Sequence, residues 1–197
     1  MSITIKPDPF DLFNEWFQEA QKTPAIEEPT AMTLATVDPE GMPAARIVLL
    51  KAIERGGFTF YTNLGSVKAQ HLRENPRAAL CFHWMPLEKQ VRVQGVCTQV
   101  SDEEADAYFA SRPKQSQIGA WASKQSQPYH ERLELEKRVA LFAAKYALSA
   151  VPRPEFWSGF HLEPSTIEFW LKQPYRLHDR VRYTRVGGQW QSARLFP

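Results

Sequence analysis

The sequence predicts an α+β fold in which mainly antiparallel strands form a β-barrel with helices at its periphery. About nine short runs rich in β-branched and aromatic residues have the length of strands. Most consecutive runs are joined by short turn motifs that are typical of hairpins. The helical segments are inserted between strands and do not alternate with them, which argues against a doubly wound parallel sheet.

Length and composition predict a single globular domain over residues 1–197. Hydrophobic residues make up 43% and charged residues 23% of the chain, which excludes a disordered or fibrous protein. Residues 1–28 are predicted as an N-terminal helical segment and residues 156–197 as C-terminal strands that complete a site. The net charge of +2 provides no field that would attract nucleic acid or a membrane surface. Without a signal-peptide core or a long apolar run, we expect a cytoplasmic protein.

The N-terminal part predicts one amphipathic helix followed by a hairpin. Asp8 and Pro9 match an N-cap residue and a proline in the first helical turn. The apolar residues that follow recur at helical spacing: Phe10, Phe13, Trp16, Phe17 and Ala20. Runs 31–37 and 44–51 are predicted strands, because the DPEG sequence at 38–41 between them favours a type I turn.

The remaining elements follow from the same signals. Ser66 is predicted to cap a short helix that extends to Leu72, and the pattern at 101–104 is a capping box that opens a second helix. A longer helix is predicted at 131–148, with Leu133, Leu141 and Ala144 facing inward. The other predicted strands are 58–62, 78–84, 90–100, 156–162, 167–171, 180–186 and 189–195.

The two cysteines are predicted to be free thiols. A hairpin turn at 85–88 would place Cys81 opposite Arg92, roughly 17 Å along the strands from the position opposite Cys97. A disulfide needs Cα atoms within about 7 Å. Cys81 shares a strand face with His83, but no third ligand lies at metal spacing, so we expect no metal site.

Two segments could bind an anion. Arg46 and Lys51 flank an apolar strand, although cations at strand ends are more often simply solvated. The segment 61–68 leads from a strand through a glycine turn into a helix N-terminus, where free amides, Thr62, Ser66 and Lys68 could hold a phosphate. Plain capping by Ser66 is an equally good interpretation.

Two further clusters combine cations with hydroxyl or aromatic groups. Tyr108 and Arg112 stand at i and i+4, so a continuing helix would present both, with Ser116, to a phosphate monoester. The more common arrangement on sequence alone is that Arg112 neutralises the carbonyl groups of a helix C-terminus before Pro113. Trp170 and the basic segment 176–180 could form a nucleic-acid patch, but the near-neutral chain fits a site for one planar anion better. Since no nucleophile stands out, the sequence points to a cofactor.

Taken together, these segments resemble the pyridoxamine 5'-phosphate oxidase family, FMN-dependent enzymes of the FMN-binding split-barrel fold. The resemblance runs in family order over nearly all of the chain from Asp8 onward. The matching segments are 46–51 (RIVLLK), 60–66 (FYTNLGS), 87–91 (LEKQV), 111–113 (SRP), 116–121 (SQIGAW), 123–126 (SKQS), 167–170 (IEFW) and 176–180 (RLHDR).

The resemblance implies two sets of site residues at the interface of a homodimer. It assigns FMN to Arg46, Ile47, Val48, Leu49, Leu50, Tyr61, Thr62, Lys68, Gln90, Gln125, Ser126, Trp170 and Arg180. It assigns the substrate phosphate to Lys51, Tyr108, Arg112 and Ser116, and the catalytic contacts over the substrate ring to Arg176 and His178. The implied reaction oxidises pyridoxamine or pyridoxine 5'-phosphate to pyridoxal 5'-phosphate, and dioxygen is reduced to hydrogen peroxide. A cation such as Arg180 would stabilise the reduced flavin.

The sequence departs from the family pattern in two places. Val67 stands where the family commonly has an arginine before the lysine, here Lys68, so we expect weaker FMN retention. The chain begins shortly before its first helix, so we expect the N-terminal lid of many members to be missing or supplied differently. Two alternatives remain: a sibling flavin oxidase of the phenazine type, and a non-catalytic binder of FMN or pyridoxal 5'-phosphate.

Overall fold

The structure, a computed structural model, describes residues 2–129, 131 and 133–197. Its helices are α1 (Pro9–Lys22), α2 (Val67–Glu74), α3 (Asp102–Ser111), α4 (Lys114–Ala122) and α5 (Glu134–Lys145). Its strands are β1 (Ala31–Val37), β2 (Pro43–Leu49), β3 (Ala52–Glu54), β4 (Gly57–Asn63), β5 (Arg77–Trp84), β6 (Lys89–Gln99), β7 (Trp157–Leu171), β8 (Asp179–Val186) and β9 (Gln189–Arg194). The predicted α+β class is confirmed.

All nine strands in the described residues belong to one antiparallel sheet that divides at β7. One edge of β7 pairs with β6 through residues 160–171. The other edge pairs with β4 through residues 157–162 and with β8 through residues 166–171. The strand therefore carries two arms, β4–β3 and β8–β9, and the sheet curls into a split half-barrel. Residue 95 has to be glycine, because a Cβ there would lie 2.1 Å from the Glu163 carbonyl oxygen.

Helix α1 fills the concave side of the sheet, as its apolar spacing predicts. The Asp8 carboxylate accepts a hydrogen bond from the Phe10 amide at 2.8 Å, which caps the helix. The Phe13 ring meets Phe58 and Phe82 edge to face, each at 5.0 Å between centroids. Since Phe13 is fully buried, these contacts make α1 an integral part of the barrel core.

A smaller core joins α3, α4 and α5 to the first half of β7. Its buried members are Phe109, Ile118, Tyr146, Val151 and Trp157. The capping box predicted at the start of α3 is present, since Ser101 and Glu104 exchange side-chain and backbone hydrogen bonds. This helical layer forms one wall of the cleft described below.

Several predicted elements differ from the structure. The predicted strands 156–162 and 167–171 are one strand, because Pro164 lies opposite Gly95 at a register shift that bends β7 without ending it. The short strand β3 and the helix α4 were not predicted. The interpretation of α5 was wrong: Leu133 and Leu141 are 56% and 63% exposed and Ala144 is exposed, whereas Phe142, Ala143 and Tyr146 pack inward. Residue 132 of that predicted helix lies outside the described residues.

Both cysteines are free thiols, in the register that the hairpin predicts. Cys81 lies opposite Arg92, and Cys97 is buried, which raises its thiol pKa to about 12. Across the described residues, no helix has the length and apolarity required to span a membrane.

Candidate active site

A cleft of about 680 Å³ opens between the β2 and β4 strands and the helices α3 and α4. Its volume is in the range of small-molecule sites, about 300–1,000 Å³. Most of the sequence-predicted residues line it: Ile47, Val48, Leu49, Lys51, Tyr61, Thr62, Lys68, Tyr108, Arg112, Ser116 and Gln125. Segments far apart in the chain therefore meet in one cleft.

The charge of this cleft is entirely positive among the described residues. Lys51, Lys68 and Arg112 line it, whereas no aspartate or glutamate does. None of the three forms an ion pair with a described carboxylate. Burial and the nearby Arg46 guanidinium both lower the pKa of Lys68. A cleft with this charge favours an anionic ligand.

Arg112 presents a hydrogen-bond donor that has no partner. Helix α3 ends at Ser111 with Arg112 as its C-cap residue in extended backbone. The helix does not continue through Arg112, which stands at a helix C-terminus, as the alternative interpretation predicts. The guanidinium carbon instead lies 4.7 Å from the Trp157 ring centroid. Its Nη1 atom is buried without a hydrogen bond, and burial lowers the pKa of the guanidinium. An unpaired buried donor is costly, so this atom fits an oxyanion that would complete the site.

Stacked aromatic rings support this arginine. The Tyr61 and Tyr108 rings stack with centroids 4.0 Å apart, and Trp157 stacks on Tyr61 at 5.3 Å. Gly159 lies opposite Tyr61 in the sheet, where a Cβ would approach the tyrosine ring to 2.7 Å. Burial is the main cause that raises the pKa of Tyr61 and of Tyr108. Both hydroxyls therefore stay protonated and can donate at neutral pH.

Lys68 connects the start of α2 to the segment after α4. Its Nζ donates to Gln125 Oε1 at 3.0 Å and to Thr62 Oγ1 at 3.3 Å. The side chain of Ser66 donates to the Asn63 carbonyl oxygen at 2.7 Å and does not cap α2. Ser66 is therefore the N-cap residue of α2, as predicted, but its side chain makes no capping bond, and the first amides of α2 keep their capacity for an anion.

The remaining predicted residues do not line the cleft. Leu50 is buried in the barrel core, Arg46 lies beside Lys68, and Ser126 lines a neighbouring cavity of about 240 Å³. A second group lies at the far end of β7: Gln90, Trp170, Arg176, His178 and Arg180. Within this group, Gln90, Trp170 and Arg180 lie side by side on β6, β7 and β8.

The second group is pre-organised by its own contacts. The His178 ring lies 4.6 Å from the Trp170 ring, and its Nδ1 accepts from the Gln173 amide at 3.2 Å. That bond favours the tautomer with the proton on Nε2. Arg176 is exposed and has a positive φ of 62°, a conformation that is uncommon for residues other than glycine.

Arg180 is not the free cation that the sequence interpretation expects. Its Nη2 donates to Glu168 Oε1 at 2.8 Å, and its Nε donates to the same oxygen at 3.1 Å. Nη1 donates to the Phe196 carbonyl oxygen at 2.8 Å. The neighbouring carboxylate reduces the positive potential that Arg180 offers to a ligand.

Sequence reasoning missed part of the cleft wall. The unassigned lining residues are Asn63, Ser111, Pro113, Gly119, Ala120, Ser123 and Trp157. All but Trp157 lie in the FYTNLGS, SRP, SQIGAW and SKQS segments that contain assigned residues, and this proximity was the available signal. Trp157 had none, because its role depends on the pairing of β7 with β4. The described residues contain no cluster of three potential metal ligands.

Solved structures with this fold include two that are similar to nearly the whole chain. The structure of PhzG from Burkholderia lata 383 in complex with tetrahydrophenazine-1-carboxylic acid is 30% identical, with a TM-score of 0.92. The alignment covers 98% of this chain and 94% of that one. A pyridoxamine 5'-phosphate oxidase-related, FMN-binding protein from Nostoc punctiforme has a TM-score of 0.78 at 17% identity, over 98% and 100% of the two chains. The second likeness concerns the fold alone.

Family profiles and curated relatives agree over the whole chain. A profile described as pyridoxamine 5'-phosphate oxidase matches residues 18–146. A profile described as the pyridoxine 5'-phosphate oxidase C-terminal dimerisation region matches residues 157–197. The pyridoxine/pyridoxamine 5'-phosphate oxidase of Rhodospirillum rubrum is 57% identical over 100% of both chains. That of a Chelativorans species is 53% identical over 99% of this chain and 93% of its own. The chain belongs to the pyridoxamine 5'-phosphate oxidase family.

Proposed function

We propose that the chain binds FMN and oxidises pyridoxine 5'-phosphate or pyridoxamine 5'-phosphate to pyridoxal 5'-phosphate, with O2 as the acceptor and H2O2 as the product. The observation that carries the proposal is the cationic cleft that contains the unpartnered Nη1 of Arg112. Full-length relatives at 53–57% identity that carry the name of this activity support it. The two free cysteines fit a cytoplasmic location.

The cleft offers separate positions for two phosphates. Lys68, with Arg46 beside it and the first amides of α2, fits the FMN phosphate. Lys51, Tyr108, Arg112 and Ser116 line the cleft together and fit the phosphate of the substrate. The donor set suits this role, since it combines cations with hydroxyl groups and contains no competing carboxylate.

The protein contributes binding and orientation. FMN, when bound, would supply the redox chemistry: the substrate would lose a hydride from C4′ and a proton from its hydroxyl or amino group, and these two electrons and two protons would convert O2 to H2O2. By holding the substrate phosphate, Arg112 would fix the position of C4′ along the cleft. The stacked rings of Tyr61, Tyr108 and Trp157 exclude water around this anchor. Pyridoxine 5'-phosphate reacts with O2 alone, whereas the amine also consumes water and releases ammonia.

The second group of residues would come from a second copy of the chain. Arg176 and His178 do not line the cleft of their own chain, yet they lie within the segment that matches a dimerisation region. Strand β2 is an edge of the sheet, and Ile47 on it is 63% exposed beside the cleft. A homodimer would cover this edge and bring Arg176 and His178 over the substrate ring.

An anaerobic visible spectrum tests the proposal. The protein is loaded with FMN, deprived of oxygen and mixed with pyridoxine 5'-phosphate. We expect the flavin bands to bleach and to recover on admission of air, with one H2O2 formed for each pyridoxal 5'-phosphate. Dephosphorylated pyridoxine is the control, because it lacks the group that Arg112 would hold. Bound FMN that stays oxidised with both phosphorylated substrates would contradict the proposal.

A phenazine-type oxidase is the second candidate. The likeness to PhzG, which was solved with tetrahydrophenazine-1-carboxylic acid, favours it. The same anaerobic assay distinguishes the two functions if that acid replaces pyridoxine 5'-phosphate. A carrier of FMN or pyridoxal 5'-phosphate would bind its ligand and bleach with neither compound.

A further inference from the structure

The Arg46 guanidinium is held from one side. Its Nη1 donates to Thr36 Oγ1 at 2.7 Å and to the carbonyl oxygens of Ala44 and Leu34 at 3.1 and 3.3 Å. Its Nε and Nη2 form no hydrogen bond with any described residue. One edge of the guanidinium is therefore fixed to the sheet, while the other stays available to a ligand near Lys68.

A buried hydroxyl and a histidine continue this arrangement behind Arg46. Thr36 on β1 is fully buried, and its Oγ1 lies 3.1 Å from Nδ1 of His71 on α2. An arginine can only donate, so Thr36 Oγ1 accepts from Arg46. His71 Nδ1 is the remaining described partner for the hydroxyl proton. With donation from Thr36 to His71, the buried Thr36 hydroxyl has a partner both as acceptor and as donor.

We propose that Thr36 and His71 are positioning residues that orient Arg46 toward the phosphate of the flavin. The inference rests on the proposed function, because it takes FMN as the ligand. A hydroxyl that donates to one partner becomes a better acceptor for another, so His71 strengthens the bond from Arg46 to Thr36. The relay also joins β1 to α2, the helix that carries Lys68. Both cations near the phosphate are thereby placed by the same contact.

The test compares FMN with riboflavin, which has the same ring system but no phosphate. Thr36→Val keeps the side-chain shape and removes the hydroxyl. We expect its Kd for FMN, measured by flavin fluorescence quenching, to rise about tenfold, while the Kd for riboflavin changes less than about twofold. Thr36→Ser should restore FMN affinity, because the hydroxyl returns.

The chain contains a matched control in a second threonine–histidine pair. Thr59 is also fully buried, and its Oγ1 lies 3.0 Å from His161 Nδ1, but that hydroxyl bonds to no charged side chain of the cleft among the described residues. The Lys51 amide donates to the Thr59 carbonyl oxygen at 2.8 Å, a backbone bond that Thr59→Val keeps. Thr59→Val should leave the ratio of the two Kd values unchanged. His71→Leu, at a half-buried position, should raise the Kd for FMN about threefold and provides a second variant if Thr36→Val does not fold.

Two results would overturn the inference while leaving the proposed function intact. Unchanged FMN affinity in both Thr36→Val and His71→Leu would exclude the relay. An equal loss of FMN and riboflavin affinity would assign Thr36 a general structural role. A wild-type chain that does not prefer FMN to riboflavin would instead contradict the flavin-phosphate site itself.

Discussion

At the scale of single residues, Arg112 is the residue that most specifically indicates an anionic ligand. Its guanidinium rests on the Trp157 ring and has a buried Nη1 without a hydrogen bond. Burial disfavours the charged guanidinium and so lowers its pKa. No described carboxylate lines the cleft to balance this positive charge. Such an arrangement is unfavourable without a ligand and favourable with an oxyanion in place.

Arg112→Ala should therefore weaken substrate binding and leave the flavin in place. We expect KM for pyridoxine 5'-phosphate to rise about 10- to 100-fold, since a charge-assisted hydrogen bond contributes about 1.5–3 kcal/mol. Steady-state kinetics and an FMN titration measure the two effects separately. Lost FMN affinity with an unchanged KM would mean that Arg112 serves the cofactor phosphate.

Val67 is a second position where one side chain should have a measurable effect. It is the first residue of α2, is 46% exposed and precedes Lys68. Val67→Arg would add a cation at a helix N-terminus that already favours anions. We expect the Kd for FMN to fall about 10- to 100-fold if the new side chain forms one charge-assisted bond. Val67→Gln is the neutral control, and an equal gain for riboflavin would count against a phosphate contact.

At the scale of elements, the sequence predicted the features that depend only on residues close together in the chain, namely helix caps and hairpin turns. The Asp8 cap, the capping box at Ser101 and the hairpin turns need only neighbouring residues, and all three are present. The prediction of which face of α5 points inward was wrong, because that helix packs through Phe142 and Tyr146 against Trp121. The short strand β3 and the continuity of β7 could not be predicted in the same way. They depend on pairing with other strands, and a pattern within a few residues carries no information about that pairing. The RLHDR segment was likewise recognised without its contacts to the N-terminal residues.

Asp179 ties those N-terminal residues to the start of β8. Its carboxylate accepts from the Ile3 amide at 2.6 Å, from Ser2 Oγ at 2.8 Å and from Arg194. Burial alone would raise its pKa, but these bonds outweigh burial and lower it. Because Asp179 lies between His178 and Arg180, this contact also supports the second group of site residues.

Asp179→Asn should lower the free energy of unfolding by about 1.5–3 kcal/mol at neutral pH. The folded-state pKa lies below the unfolded value of about 3.9, so the carboxylate stabilises fully above that value. The stabilisation is lost as the pH falls through the folded-state pKa. The difference between wild type and variant, from denaturant unfolding, should be constant at pH 5–8 and shrink below about pH 4. A difference that stays constant down to pH 2 would contradict this role of the carboxylate.

At the scale of the whole molecule, the proposed function requires two chains for each site, because the two groups of predicted site residues lie apart within one chain. The cleft group lies between β2, β4 and the helices α3 and α4, whereas the second group lies where β6, β7 and β8 meet. The match to a dimerisation region covers the second group from Trp170 onward, although Gln90 lies outside it. A two-fold dimer would form two equivalent sites, each from the cleft of one chain and the second group of the other.

Mixing two variants that are each weakly active at low substrate tests this arrangement directly. Arg112→Ala damages the cleft, and Arg176→Ala should leave FMN bound but lower kcat by orders of magnitude. A heterodimer of the two has one site with both substitutions and one site with neither. Random pairing makes half of the dimers mixed, so activity at low substrate should recover to roughly a quarter of wild type.

The control mixes Arg112→Ala with Lys51→Ala, which both alter the cleft of their own chain. No pairing of these two variants yields an intact site, so their mixture should show only the mean of the parent activities. The same mean for the Arg112 and Arg176 pair, with subunit exchange verified by tagged chains, would place both residues in a site formed by one chain. If activity recovers only in the mixture of Arg112→Ala with Arg176→Ala, each site contains residues from both chains, and catalysis by this protein depends on its dimer.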